Sequence, residues 1–187
     1  VGIGNLTLVD GDVFDETNLN RQLLSSVANI GTAKAKIAGK RVQEINPAAQ
    51  VHMRNTFLDE NNGYELLEDA DIAIDCLDTI PARFALERSC TKRNIPMVSA
   101  AIAGTSGQAT TIFPTGGGLI NLYGNEKNVP KRGVEAGLGT LVFAASHMAS
   151  IECAETVNII LDKGSPLENS LLFSDLSDYS VERIQLG

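Results

Sequence analysis

The strongest constraint on this chain is the alternation of short β-forming runs with helical runs through its first half. Residues 5–10, NLTLVD, alternate in polarity, are rich in β-formers and meet a Gly-Asp pair, so they predict a strand ending at Asp10. An irregular acidic stretch follows. From Thr32 onward, Ala35, Ile37, Ala38, Val42 and Ile45 fall at helical spacing, with Pro47 just beyond, which predicts a helix with a basic outer face. Residues 51–57 predict a second strand, 62–69 a short helix and 71–78 a third strand. Pro81 opens another helix, because a first turn has no use for the N–H that proline lacks. Strand, helix, strand in series predicts a parallel sheet with helices packed on it.

The second half reads differently. Residues 96–102 predict a strand and 107–114 a further strand suited to antiparallel pairing, while 115–139 hold many glycines and read as a long loop. The small and apolar run from Leu138 to Leu161 predicts a buried helix, with Gly164 ending it as a C′ glycine would. Residues 171–176 and 179–186 predict a two-stranded antiparallel pair. The expected fold is therefore α/β, Rossmann-like and doubly wound, with a mainly parallel sheet and antiparallel strands at the C-terminal end, in a single domain over residues 1–187.

Composition excludes several function classes. The chain has 15 Lys and Arg against 23 Asp and Glu, a net charge of −8, and general nucleic-acid binding needs a basic face instead. No apolar run approaches the roughly 20 residues of a membrane span. The first residues do not have the cationic-then-apolar pattern of a signal peptide. Three cysteines without a C-x-x-C pair suggest neither a disulfide framework nor a zinc ribbon, and point to a reducing, cytoplasmic compartment.

Candidate chemistry collects at the predicted strand ends. Gly2-Ile3-Gly4 precedes its strand, whereas a dinucleotide loop follows one, so a plain turn is the better reading. Asp10 ends what would be the second strand of a doubly wound sheet, where ribose hydroxyls are held; an exposed strand-end carboxylate is the equal alternative. In DETNLNRQ, residues 15–22, Arg21 offers a forked cation, and Lys34 beyond it a point charge, a pair suited to polyphosphate. Asn18, Asn20 and Gln22 can donate amide hydrogens, though a solvated polar loop explains this stretch as well. Asp78, closing an apolar strand, would project into the crevice at the sheet's carboxyl end and could hold Mg²⁺ against phosphate oxygens. Asp75, on the opposite face of the same strand, reads as structural. Cys76 and Cys153 read as buried small hydrophobes, and His52 and His147 as isolated histidines.

Taken in order, LVDGDVFDETNLNRQ, GTAKAKIAGKRVQEINP, IAIDCLDTIPARF and IPMVSAAIAGTSGQ resemble the ThiF/MoeB/HesA family of adenylating enzymes, relatives of the ubiquitin-activating enzymes. The resemblance covers essentially the whole chain. It implies binding of ATP with Mg²⁺ and of the C-terminal Gly-Gly tail of a ubiquitin-like or sulfur-carrier protein, whose carboxylate attacks the α-phosphorus and expels pyrophosphate. It also implies a homodimer. The implied roles are Asp10 on the ribose, Thr17, Asn18, Leu19, Asn20 and Arg21 along the nucleotide, Arg21 and Lys34 on the phosphates, Asp78 on Mg²⁺ and Thr79 beside it, with Arg21, Lys34 and Asp78 as the catalytic set. Such a site needs positioned charge and no covalent nucleophile.

Three departures from the family pattern carry consequences. The family's first strand, Gly-rich phosphate loop and following helix are expected ahead of Val1 and are not in the sequence. The two C-x-x-C pairs that hold zinc in many members do not occur, so no zinc site is expected. Gly133 stands where many members have cysteine, so no thioester or persulfide can form at that position. Three other readings stay open: activation of another substrate such as a peptide or modified tRNA base, a non-catalytic partner subunit of the same fold, and an NAD-dependent enzyme, which accounts for Asp10 but not for Arg21, Lys34 and Asp78 together.

Overall fold

The computed structural model describes residues 2–186. Among the described residues there are seven strands, β1 (Asn5–Val9), β2 (Gln50–Arg54), β3 (Ala73–Asp75), β4 (Met97–Ala103), β5 (Ser106–Ile112), β6 (Ser170–Asp175) and β7 (Ser180–Gln185). The α-helices are α1 (Lys34–Ile45), α2 (Gly63–Leu66), α3 (Ile80–Arg93), α4 (Ile120–Tyr123), α5 (Glu135–Leu138) and α6 (Val142–Ile160). The fold is mixed α/β, with parallel and antiparallel pairing, as the alternation predicts. No helix among the described residues is long and apolar enough to cross a membrane.

The strands fall into two sheets that do not hydrogen-bond to each other. β1 pairs in parallel with β2, with Leu6 opposite Val51 and Leu8 opposite Met53. The second sheet has the order β3-β4-β5-β6-β7, parallel between β3 and β4 and antiparallel from β4 onward. Helix α1 crosses from β1 to β2 and lies close against β2. Gly39 makes this approach possible, because a Cβ there would collide with the Met53 side chain.

Helix α3 shows why its sequence folds as it does. Thr79 enters it in extended conformation, Pro81 sits in the first turn, and Lys92 and Arg93 oppose the negative end of the helix dipole in the last. Asn94 then takes a left-handed conformation, φ 56°, that stops the helix. Its inner stripe of Ile80, Phe84 and Cys90 packs with Ala73, Met97, Ile112 and Leu119 on one face of the sheet. Helix α6 covers the other face, where Met148 and Ile151 meet Ala100, Ile102, Ala109 and Leu172.

Several expected boundaries move. The third strand ends at Asp75, not at residue 78, because the Asp75 side chain accepts a hydrogen bond from the Leu77 N–H and turns the chain. The stretch 115–139 is not one loop: it contains α4, α5 and a 3-10 turn at Glu126–Asn128, fastened by Glu87 accepting from the Leu119 N–H at 3.0 Å and by Arg88 bridging Glu60 and Glu126. Helix α6 starts at Val142 and ends at Ile160, so Gly164, though at φ 78°, lies beyond its cap. Cys76 and Cys153 are exposed rather than buried, since Cys76 follows the end of β3 and Cys153 lies on the outer side of α6; only Cys90 is buried.

Truncation of a core side chain should separate clearly from truncation of a surface one. Phe84→Ala should cost about 3–5 kcal/mol and Ile120→Ala, at an exposed position, no more than about 0.5 kcal/mol, as read by urea unfolding.

Candidate functional site

The segment after β1 is folded tightly by its own polar side chains. Asp10 accepts the Asp12 N–H at 2.8 Å, and Asp12 forms an ion pair with Lys34 at 3.0 Å. The Lys34 backbone N–H donates to the Asp12 carbonyl as well, at 3.0 Å. Buried Phe14 anchors the loop, exchanging backbone hydrogen bonds with Gly31 and Thr32. Asp10, Asp12 and the first residue of α1 are thus drawn together, although they are far apart in the sequence.

Residues 15–22 form a capped turn. Asp15 accepts from the Thr17 N–H at 2.7 Å, and Asn18 accepts from the Asp15 N–H at 3.1 Å, a reciprocal capping box. The hydrogen bonds from Thr17 hold the Asp15 carboxyl below its usual range. Arg21 donates to the Thr17 carbonyl at 2.7 Å and to the Asn20 side chain at 3.1 Å. Thr17, Leu19 and Asn20 are exposed, whereas Asn18 is buried and spends its side-chain oxygen on the turn.

The other half of the candidate site lies after β3. Asp78 is three residues past the end of the strand, with its side chain 81% exposed and 3.6 Å from Arg132. Thr79 caps α3 by conformation, and its carbonyl accepts the Arg83 N–H at 3.2 Å. The Lys131 carbonyl accepts the Ile80 N–H at 3.2 Å, which ties the Lys131-Arg132 segment to the start of α3. Among the described residues, no hydrogen bond or ion pair joins the Asp10–Lys34 group to Asp78 and Thr79. No group of three or more His, Cys, Asp or Glu side chains among them is arranged to hold a metal.

Sequence reasoning missed the group that holds Asp78 in place. Asp75 is 1% exposed, and its Oδ2 accepts from Arg83 at 2.7 Å and from the Ser99 hydroxyl at 2.6 Å. Arg83, 7% exposed, also donates to the Ala100 carbonyl at 2.6 Å and to the Leu77 carbonyl. The Leu77 N–H meanwhile donates to Asp75 Oδ1 at 3.0 Å. Both backbone polar groups of Leu77 are therefore clamped, and Asp78 is the next residue. The only signal for Arg83 in the sequence is a cation on the inner face of α3, one turn after the residue that caps it.

Burial by itself would lower the Arg83 pKa; the Asp75 charge outweighs it and, with Tyr123, holds the guanidinium above its ordinary value. Glu152 approaches the same region from α6. Desolvation first, then the Asp75 carboxylate, push it up to about 8, against opposing effects of Arg83 and the Ala100 N–H. Although Cys76 is open to solvent, the protein atoms crowded around its thiol, followed by Glu152 and Asp75, push it up to about 12, which leaves it a poor nucleophile near neutral pH.

Open α/β sheets bind their ligands beyond the carboxyl ends of their strands, and Asp10 and Asp78 both follow such ends. The ThiF family pattern matches residues 1–187, and the chain belongs to that family. It is 33% identical over 187 residues to the SAMP-activating enzyme E1 of Haloferax volcanii, covering 98% of this chain and 68% of that protein. It is 31% identical over 190 residues to the molybdopterin-synthase adenylyltransferase of Haemophilus influenzae, covering 99% of this chain and 76% of that one. A probable molybdopterin-synthase adenylyltransferase of Porphyra purpurea is 32% identical, but the chain spans only 49% of its length. Among solved structures, E. coli MccB with MccA-N7isoASN superposes with a TM-score of 0.80 at 20% identity, over 100% of this chain and 58% of that one, which establishes likeness of fold.

Two stability measurements follow. Asp75→Ala leaves Arg83 buried without its counter-ion and should cost about 3–5 kcal/mol in chemical unfolding. Glu152 holds a proton in the folded state that the unfolded chain has already released, between the ordinary carboxylate range and about 8. Stability should therefore fall as pH rises through that window, and Glu152→Gln should flatten that part of the melting-temperature curve.

Proposed function

We propose that this chain is the nucleotide-binding part of an enzyme that uses ATP to adenylate the C-terminal glycine carboxylate of a ubiquitin-like or sulfur-carrier protein, releasing pyrophosphate. The observation that carries the reading is the joint presence, in a chain of the ThiF family, of Asp10 after β1, the cations Arg21 and Lys34 in the segment folded against it, and Asp78 after β3. Two curated relatives whose names specify activation or adenylyl transfer, from Haloferax and Haemophilus, support it.

In this reading Asp10 holds the ribose and residues Thr17 to Arg21 line the nucleotide. Arg21 and Lys34 balance the phosphate charge as the tail carboxylate displaces pyrophosphate. Lys34, only 15% exposed, has Asp12 as its resting partner, and a triphosphate would compete for it with higher charge. Asp78 is a single exposed carboxylate, which suits magnesium: that ion takes one or two protein carboxylates and fills its shell with phosphate oxygens and water. Bound with ATP, Mg²⁺ would neutralise phosphate charge, and Thr79 would stand beside it.

The separation of the two sheets supports a further element between β1 and β3. Ile74, in the middle of β3, is 41% exposed although both its neighbours are buried. A strand there, followed by a Gly-rich loop and helix, would cover it and bring backbone N–H groups to the phosphates. The outer face of α6 supports the homodimer: this helix has no Lys, Arg or Asp, its two Glu, Glu152 and Glu155, are both buried, and Val142, Phe143 and Ile160 are exposed. A reducing cytoplasmic setting agrees with three unpaired cysteines.

ATP–pyrophosphate exchange by the full-length protein tests the assignment. Exchange should require an added carrier with a Gly-Gly tail, and Arg21→Ala or Asp78→Ala should each reduce it by about 10²–10³-fold. Undiminished exchange in both variants would remove those residues from the mechanism, and exchange with a small substrate alone would shift the assignment to a different adenylyl acceptor.

A further inference from the structure

Glu152 sits on the buried stripe of α6 with Ala144, Met148, Glu155 and Thr156, 7% exposed, and its Oε1 is buried without a hydrogen-bond partner among the described residues. Its buried helix-mate Glu155 is handled quite differently, accepting hydrogen bonds from Thr111, Ser165 and the Leu167 N–H. A charged carboxylate tolerates burial only with such partners; one lacking them stays neutral. The groups facing Glu152 are few. β4 and β5, on which α6 packs, contain no acidic or basic residue. The ionisable neighbours are Asp75 and Cys76 from β3 and its continuation, and Arg83 from α3.

Glu152 and Arg83 approach β4 from opposite faces of the sheet, near Ala100. The Ala100 carbonyl accepts from Arg83 at 2.6 Å, and its N–H lies close enough to Glu152 to offset part of the effect of burial. Arg83 is the same side chain that, with Asp75, clamps Leu77 ahead of Asp78. We propose that Glu152 is a positioning residue for Asp78: while its carboxyl group is neutral, Arg83 stays committed to Asp75 and the Leu77 carbonyl, and Asp78 stays aimed at the nucleotide. Ionised, Glu152 becomes a second buried carboxylate competing for one guanidinium, and the hold on Leu77 loosens. The proposal rests on the reading of Asp78 as the magnesium-side residue of an ATP site.

The test is calorimetric binding of ATP, with and without Mg²⁺, to the full-length protein across neutral and alkaline pH. The gain in affinity that Mg²⁺ confers should shrink by about tenfold for each pH unit above the Glu152 pKa, which lies at about 8, while metal-free ATP binding changes little. Glu152→Gln, which keeps a neutral polar group against Ala100, should abolish this alkaline loss. Equal alkaline loss in the wild type and the Gln variant would overturn the proposal. So would the absence, in infrared spectra of the wild type at neutral pH, of a protonated-carboxyl band that disappears on alkalinisation; this measurement needs no variant to fold. If Asp78→Asn leaves the Mg²⁺ gain intact, the reading of the site falls instead, a separate result.

Discussion

The buried ion pair between Arg83 and Asp75 is the interaction on which the placement of Asp78 and of the segments around it depends. Taking two charges out of water costs several kcal/mol per ion, and only close geometry and additional hydrogen bonds repay it. Both are present: Asp75 also receives the Ser99 hydroxyl and the Leu77 N–H, and Arg83 also reaches the carbonyls of Leu77 and Ala100. The pair thus serves less as a source of net stability than as a fixture. It ends β3, ties α3 to β4, and determines where the chain emerges at Asp78.

A second constraint comes from the division of the strands. Asp10, Arg21 and Lys34 belong to the part built on β1, β2 and α1, while Asp78 and Thr79 belong to the part built on β3, β4 and α3. Each half is organised by local bonds of its own, the capped turn at Asp15 in one and the Leu77 clamp in the other. A nucleoside triphosphate with its metal, which offers anionic phosphates to Arg21 and Lys34 and a cation to Asp78, is the kind of molecule that could draw on both. The net charge of −8 does not oppose this, because Lys34 and Arg21 act at short range, whereas the surface charge is screened within about 10 Å at moderate salt.

Much of the fold was legible in the sequence. Helix α3 could be read from Pro81, and β5 could be recognised as suited to antiparallel pairing. Asp75 is structural, as read, although the strand whose alternation suggested it ends at Asp75 itself. Less legible were features that depend on distant partners. The short helices within 115–139 exist because Glu87 and Arg88 on α3 fasten that stretch, and nothing in its own glycine-rich pattern signals this. Cys76 looked like a strand residue because it lies within the run 71–78, but the Asp75–Leu77 turn ends the strand before it.

The sequence by itself determined the order of strands and helices, the family resemblance, and the residue types available for the chemistry, because periodicity, turn residues and short motifs are local properties. Only the tertiary structure decided that Arg83 is the partner of Asp75, that Glu152 and Glu155 differ although both are buried on one helix, and that the strands divide into two sheets. Those outcomes depend on which groups from separate segments come within hydrogen-bond reach in a medium of low polarity, where an unmatched charge is expensive and a matched one is held firmly.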